Sequence, residues 1–361
     1  MLRFLLDRQA RALVVPEEFA QHFRRHSFEI SGLLQWGPVM GWDVKMINEE
    51  LSDYDFYMVN FSSTETEYAS VLRQINPDAK IVACFDYGFS VVNQYFSNLQ
   101  RIREVMNRVD AVFSVNKNQQ KWMELVLPET QIHYIPHPAN VQAMAQFQRP
   151  SVQRDGVAFC WHQYDNNQIQ GLEVLKAAER RLKKPLKKAI IGLKSGYLVQ
   201  HGIVVVASDY AKIPDNYPDL ELRGKPMDPT LLQCLSAAAP GVGWDVAIPY
   251  MGVENWYETL SRFELAVDLY TVNSIGRFGI DCAGVGTPLV ASDMQDSSKS
   301  LWPLSTVDPF SARSAVDMTV KIISNEEFRR KRVQFAMGNV ENQYGFAKSR
   351  ARMEAVLRTV M

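Results

Sequence analysis

The chain has 361 residues, 47% hydrophobic and 22% charged, which is more than one ordinary core needs and comfortable for two α/β domains. Its 39 Lys and Arg against 40 Asp and Glu give a net charge of −1, excluding an overall electrostatic pull toward nucleic acid or anionic lipid but not a local basic patch. None of the cysteines, Cys84, Cys160, Cys234 and Cys282, forms a C-x-x-C pair, so buried thiols in a reducing, cytoplasmic setting are expected rather than zinc ligands or a disulfide framework.

Residues 1–6 are apolar only briefly before Asp7 and Arg8, shorter than a signal peptide requires. No run approaches the ~20 apolar residues that span a bilayer. A soluble protein is expected, with peripheral membrane contact left open. Arg24, Arg25 and His26 lie among Phe19, Phe23 and Phe28; a solvated face is the default, and a lipid surface or acidic acceptor is the alternative. Asp53-Tyr54-Asp55 spells a D-x-D, a pair of carboxylates that can hold a divalent metal on a diphosphate. It precedes a strand instead of ending one, so its carboxylates would lie at the wrong sheet edge; it reads as a loop, and no metal is expected.

Apolar runs then alternate with amphipathic ones, the pattern of a parallel sheet covered by helices. Strands are expected at 56–61, 80–85, 111–115 and 132–136, with helices near 64–75, 91–107 and 118–127. The stretch 137–155, with Pro138 and Pro150, breaks the rhythm and reads as an interdomain linker. Strands resume at 157–161, 189–193, 203–207, 246–250, 265–270 and 288–292, with helices around 169–182 and 230–239. Lys183, Lys184, Lys187 and Lys188 follow a helix, where cations suit the dipole. The Pro-bearing stretch 209–245 suggests no function. Two doubly wound domains follow from this layout.

Two segments resemble a known family. The first is ENWYETLSRFELAVDLYTVNSIGRFGIDCAGVGTPLVAS, whose ending runs from Gly286-Thr287-Pro288 to Ser292; the second is VDAVFSVNKNQQKWMELVLPETQIHYIPHP. Both are similar to the retaining GT-B glycosyltransferases of family 4, and residues 307–361 resemble that family's closing helices. The resemblance implies two Rossmann-like domains facing a central cleft. An N-terminal acceptor domain would span 1–145 and a nucleotide-sugar domain 146–340, with a helix at 341–361 recrossing to the first. It further implies a sugar transferred with retention from a nucleoside diphosphate sugar, most simply a UDP-sugar, with no other cofactor. The family's paired glutamates fall on Asn273 and Asp281. Asp281 keeps a carboxylate for the donor ribose, whereas Asn273 offers none to the sugar.

The candidate site residues follow. Gly276, Arg277, Phe278 and Gly279 open a helix whose N–H groups and dipole suit a diphosphate, with Arg277 adding a cation; the alternative is a plain helix cap. Asp86, at a strand end, is the candidate to orient the acceptor hydroxyl or stabilise charge on the sugar carbon; otherwise it is an Asx-turn residue. The phage DNA α-glucosyltransferases carry a His-Asp-His triplet in a comparable place, which keeps a hydroxymethylated DNA base among the acceptors, beside glycan, lipid, small molecule and protein. Trp161 and His162 end the second domain's first strand, and Tyr250 lies where the family holds the base. The rival readings are a non-catalytic GT-B binding module and a sugar-nucleotide 2-epimerase.

Overall fold

Continuous Val, Ile and Phe runs become strands buried on both faces, and the protein forms two such sheets. The structure is a computed structural model that describes residues 11–15, 32–60, 66–85, 104, 106–161, 168–193, 244–249 and 253–361. The expected strand at 203–207, the helix at 230–239 and most of that at 91–107 lie outside the described residues, as do Arg24, Arg25, His26 and Cys234.

One unit comprises Met1–Ala139, Asn273–Ile275 and Gln343–Met361. Its sheet has six parallel strands: β1 (Arg11–Val15), β2 (Asp43–Met46), β3 (Phe56–Asn60), β4 (Lys80–Phe85), β5 (Ala111–Ser114) and β6 (Gln131–Tyr134). Their order is β2-β1-β3-β4-β5-β6. The central strands β1, β3 and β5 are buried throughout, while edge strand β2 carries an exposed Asp43. Helix α1 (Trp36–Met40) stops at Gly41, whose φ of 68° only glycine adopts cheaply. Helix α2 (Thr66–Ile75) connects β3 to β4, and α3 (Lys117–Val126) connects β5 to β6. Asn116 caps α3, its side chain accepting the Gln119 N–H at 3.0 Å. The last helix of the chain, numbered α11 (Phe346–Val360), packs on α1, and the Ala139 N–H donates to the Tyr344 carbonyl at 2.8 Å.

Asp110 ties this sheet together. Its carboxylate accepts the Ile81 N–H at 2.8 Å and pairs with Arg73 and with Lys80, the latter at 3.2 Å. Burial pushes its pKa up, but these donors outweigh burial and hold it below the ordinary carboxylate value. Asp53 and Asp55 lie in the turn before β3, where the Tyr54 hydroxyl donates to Asp43 at 2.6 Å. The D-x-D is therefore a loop, as expected.

The other unit comprises Asn140–Val272 and Gly276–Asn342. Its parallel strands are β7 (Val157–Cys160), β8 (Lys188–Leu193), β9 (Val246–Pro249), β10 (Leu265–Val267), β11 (Leu289–Ser292) and β12 (Thr306–Val307). The order β12-β11-β10-β7-β8-β9 starts in the middle, winds to one side and then to the other. That is Rossmann order, with its switch point between β7 and β10. The helices are α4 (Val141–Ala145), α5 (Gln168–Leu182), α6 (Val253–Ser261), α7 (Arg277–Val285), α8 (Asp296–Leu301), α9 (Ala312–Ser324) and α10 (Glu326–Tyr344). Phe159, Leu175, Val267 and Val290 centre the core, and the Trp244 ring stacks on Phe159 at 5.7 Å.

Two boundaries differ from expectation for local reasons. Within 137–155, the Asn140 side chain accepts the Ala143 N–H at 3.1 Å and nucleates α4. Strand β10 stops before Asp268, because that carboxylate accepts the Tyr270 N–H at 3.1 Å and turns the chain.

Candidate nucleotide site at the start of helix α7

The switch point of the second sheet places β7 beside β10, and ligands of such sheets bind beyond the strands' C-terminal ends. Three features of the sequence build the edge there. Trp161 follows β7, Asp268 follows β10, and the chain after β10 leads into α7.

Helix α7 is buried from Phe278 to Val285 and opens at Gly276. Gly276 has φ 76°, so an L side chain there is strained. A Cβ would also sit 2.5 Å from Ser297 Oγ and 2.7 Å from Gln295 Cβ. At Gly279 a Cβ would meet Ser297 Oγ at 2.7 Å. The two glycines therefore admit the start of α8, whose Ser297 hydroxyl donates to the Gly276 carbonyl at 2.5 Å. Gly276 supplies no side-chain cap. The first turn of α7 thus presents N–H groups and the positive dipole end without an acidic residue beside them.

Arg277 and Asp281 stand one turn apart, and the arginine Nε donates to Asp281 at 2.7 Å. An Arg277 Nη2 donates to the Tyr257 hydroxyl at 3.0 Å, and the Trp256 indole N–H donates to the second Asp281 oxygen at 3.1 Å. Burial alone would depress Arg277, but Asp281 and Tyr257 overcome it and raise its pKa above the ordinary value. Burial pushes Asp281 upward against the pull of Arg277. Phe278 packs edge-on against Trp256, with ring centroids 5.9 Å apart. The guanidinium is held in place rather than waving in solvent; its side chain is 18% exposed.

Behind this turn lies a polar network absent from the sequence expectations. Asp268 is fully buried, and Gln295 donates to it at 2.9 Å. Trp302 donates its indole N–H to the Gly279 carbonyl at 2.9 Å. Its one sequence signal is Asp268 itself, a carboxylate inside the apolar run LAVDLY.

The remaining expected residues fall as follows. Trp161 is 8% exposed and belongs to the hydrophobic core of its unit. Asn273, clustered with the first unit, accepts a hydrogen bond from the Asn118 side chain at 3.1 Å, and the Asn116 amide donates to the Ser274 carbonyl at 2.8 Å. Asp86, His162 and Tyr250 lie outside the described residues. Among the described residues no group of three or more His, Cys, Asp and Glu is placed to hold a metal ion, and no helix is long and apolar enough to cross a membrane.

No protein-family model matches the sequence, and no curated protein is significantly similar to it. Solved structures do match. A sucrose-phosphate synthase from Thermosynechococcus elongatus is 14% identical with TM-score 0.64, covering 98% of this chain and 99% of that one. HepE from Anabaena, solved with UDP and glucose, is 8% identical with TM-score 0.62, covering 97% of this chain and 100% of that one. An α-glucosyltransferase solved with UDP and a 13-mer DNA containing an HMU base is 11% identical with TM-score 0.61, covering 98% and 99%. Together with the two parallel sheets, these likenesses establish the fold of the chain as GT-B, built from two Rossmann-like α/β domains.

Proposed function

We propose that the protein is a glycosyltransferase that moves a sugar from a nucleoside diphosphate sugar to an acceptor hydroxyl. One observation carries this reading. A buried helix opens with a left-handed glycine, and with a clamped arginine as its first residue, beyond the switch-point edge of a Rossmann sheet. Two of the similar structures were solved with UDP, which favours a UDP-sugar as donor.

In this reading the first-turn N–H groups of α7 and Arg277 hold the diphosphate and stabilise charge on the leaving group. Asp281 fixes the guanidinium. Each of its oxygens accepts one bond and keeps a lone pair, so a ribose hydroxyl can share it. The cation supplied by Arg277 takes the place of a divalent metal, and transfer survives chelator. Retention follows the family resemblance, and the anomeric signals of the product report it by NMR. Asp86 orients the acceptor hydroxyl.

The test is a thermal-shift panel of UDP-, GDP-, ADP- and TDP-sugars, then mass spectrometry of acceptor pools with the best binder. The pools include DNA bearing hydroxymethylated bases. A UDP-sugar shift with mass added to one acceptor supports transfer. Turnover of donor without acceptor points to the epimerase, and binding with no turnover in any pool points to the non-catalytic module.

A further inference from the structure

The far end of α7 carries a second concentration of charge. A groove of about 210 Å³ lies there, lined by Arg149, Arg154, Arg329 and Arg330 with Glu264 and Glu326, beside Gly286. Gly286 is the C-cap of α7, so the groove lies ~13 Å along a nine-residue helix from its first turn. It is not the nucleotide site described above.

The lining carries four arginines against two glutamates, Glu264 and Glu326. Glu264 pairs with Arg329 at 2.6 Å. Glu258 serves both Arg149, at 3.2 Å, and Arg262, at 2.5 Å. Glu326 sits in the first turn of α10, where the helix dipole favours an acid. Among the described residues no carboxylate stands within ion-pair distance of Arg154 or Arg330. Arg154 is instead held by neutral acceptors: the Arg149 carbonyl at 2.9 Å, the Val285 carbonyl at 3.2 Å and the Thr287 hydroxyl at 2.8 Å. Burial, reinforced by the positive charges of Arg149 and Arg329, pulls its pKa down to about 10. Arg329 and Arg330 reach the groove from one face of α10, which continues through Val333 and Met337 at helical spacing.

Arg154 alone is explained as a brace on the C-terminal carbonyls of α7. That brace does not account for the exposed Arg330 and the shared Glu258, which leave the groove in positive excess. A small dianion relieves this excess, and guanidinium groups match phosphoryl oxygens in geometry. We propose that this groove is an anion site for a phosphoryl group, free or esterified, separate from the donor site.

Titration of the full-length protein with inorganic phosphate and with glycerol phosphate, by calorimetry at constant ionic strength, tests this. Arg330→Ala, on an exposed side chain, is expected to fold normally and to weaken binding about tenfold, the loss of one charge-assisted contact. Arg350→Ala removes another exposed cation, paired with Glu354 on α11, and is expected to change binding less than about twofold. Tighter binding of glycerol phosphate than of phosphate assigns an ester, tighter binding of phosphate assigns the free ion, and equal binding assigns the phosphoryl group itself as what the groove recognises. No saturable binding up to about 10 mM, an equal effect of both substitutions, or a loss on Arg277→Ala but not on Arg330→Ala would each overturn the proposal.

Discussion

Gly276 offers the sharpest test of how α7 is started. In Gly276→Ala the new Cβ must adopt φ 76° and meet Ser297 Oγ at 2.5 Å and Gln295 Cβ at 2.7 Å. The left-handed backbone costs about 1–2 kcal/mol for an L residue, and overpacking a well-filled site costs about 1–3 kcal/mol more. A loss of about 2–5 kcal/mol is expected by urea denaturation. Gly41→Ala separates the two contributions, since its φ is 68° but nothing lies within 4 Å of the added Cβ; it should cost only the backbone share. Gly338→Ala, within α10 and also unobstructed, should gain about 0.5–1 kcal/mol from helix propensity. Equal losses at Gly276 and Gly41 would show that the clash with α8 is absent, and the account of why α7 begins there would fail.

Other expectations follow from the charge network and the thiols. Asp110→Asn should cost about 2 kcal/mol at pH 7, the worth of hydrogen bonds to a charged group that is mostly covered. Its folded pKa is lowered, so the stabilisation is present above the unfolded value of about 3.9 and is lost as pH falls through the folded one; wild type and variant should converge near pH 2, and a pH-independent difference would contradict this. Arg277→Met should destabilise by about 3–5 kcal/mol because Asp281 is left buried without its cation, while Arg277→Met with Asp281→Leu should recover most of the loss in the same denaturation assay. Arg277→Ala should raise the Kd for the donor about tenfold by calorimetry, and an unchanged Kd removes it from the site. Native labelling with iodoacetamide and peptide mapping should leave Cys84, Cys160 and Cys282 unmodified, because all three are buried and burial raises the last two thiols well above their usual range.

In the second sheet β7 to β11 were readable as apolar runs, while β12, only Thr306 and Val307, was not; the first sheet's β4 spans residues 80–85, the same bounds its apolar run predicts. The first sheet was less so. β1 is a five-residue run, RALVV, that opens with Arg11 at the end of the polar stretch 7–11, with no helix predicted between it and the next strand, and β2, an edge strand with exposed Asp43, lacks a continuous run. At the site, the helix start at Gly276 could be read from glycine placement. What surrounds it could not, because Trp256, Asp268, Gln295 and Trp302 come from four separate segments and only folding brings them to one turn. The pairing of Arg277 with Asp281 did have a local signal. Opposite charges four apart on one helix face each other before they face anything else.

That pairing also bears on how the site would work. A free arginine gives up side-chain entropy when it takes hold of a phosphate, whereas this guanidinium is already fixed by Asp281 and Tyr257. Its Nε and Nη2 serve these two partners, which fix the plane of the fork and so the direction from which it presents its charge. Ser297 holds the Gly276 carbonyl and Trp302 holds that of Gly279, so the first turn of α7 is gripped on both its backbone and its side chains. Fixed donors need little reorganisation when charge develops on a leaving group, and that is the condition under which a helix end and one arginine contribute most to a transfer reaction. Loosening the grip without touching Arg277, as Trp302→Phe does, should therefore weaken the transition state more than donor binding: a fall in kcat with little change in donor Kd. A rise in donor Kd with kcat unchanged would mean that the grip serves binding and not the chemical step.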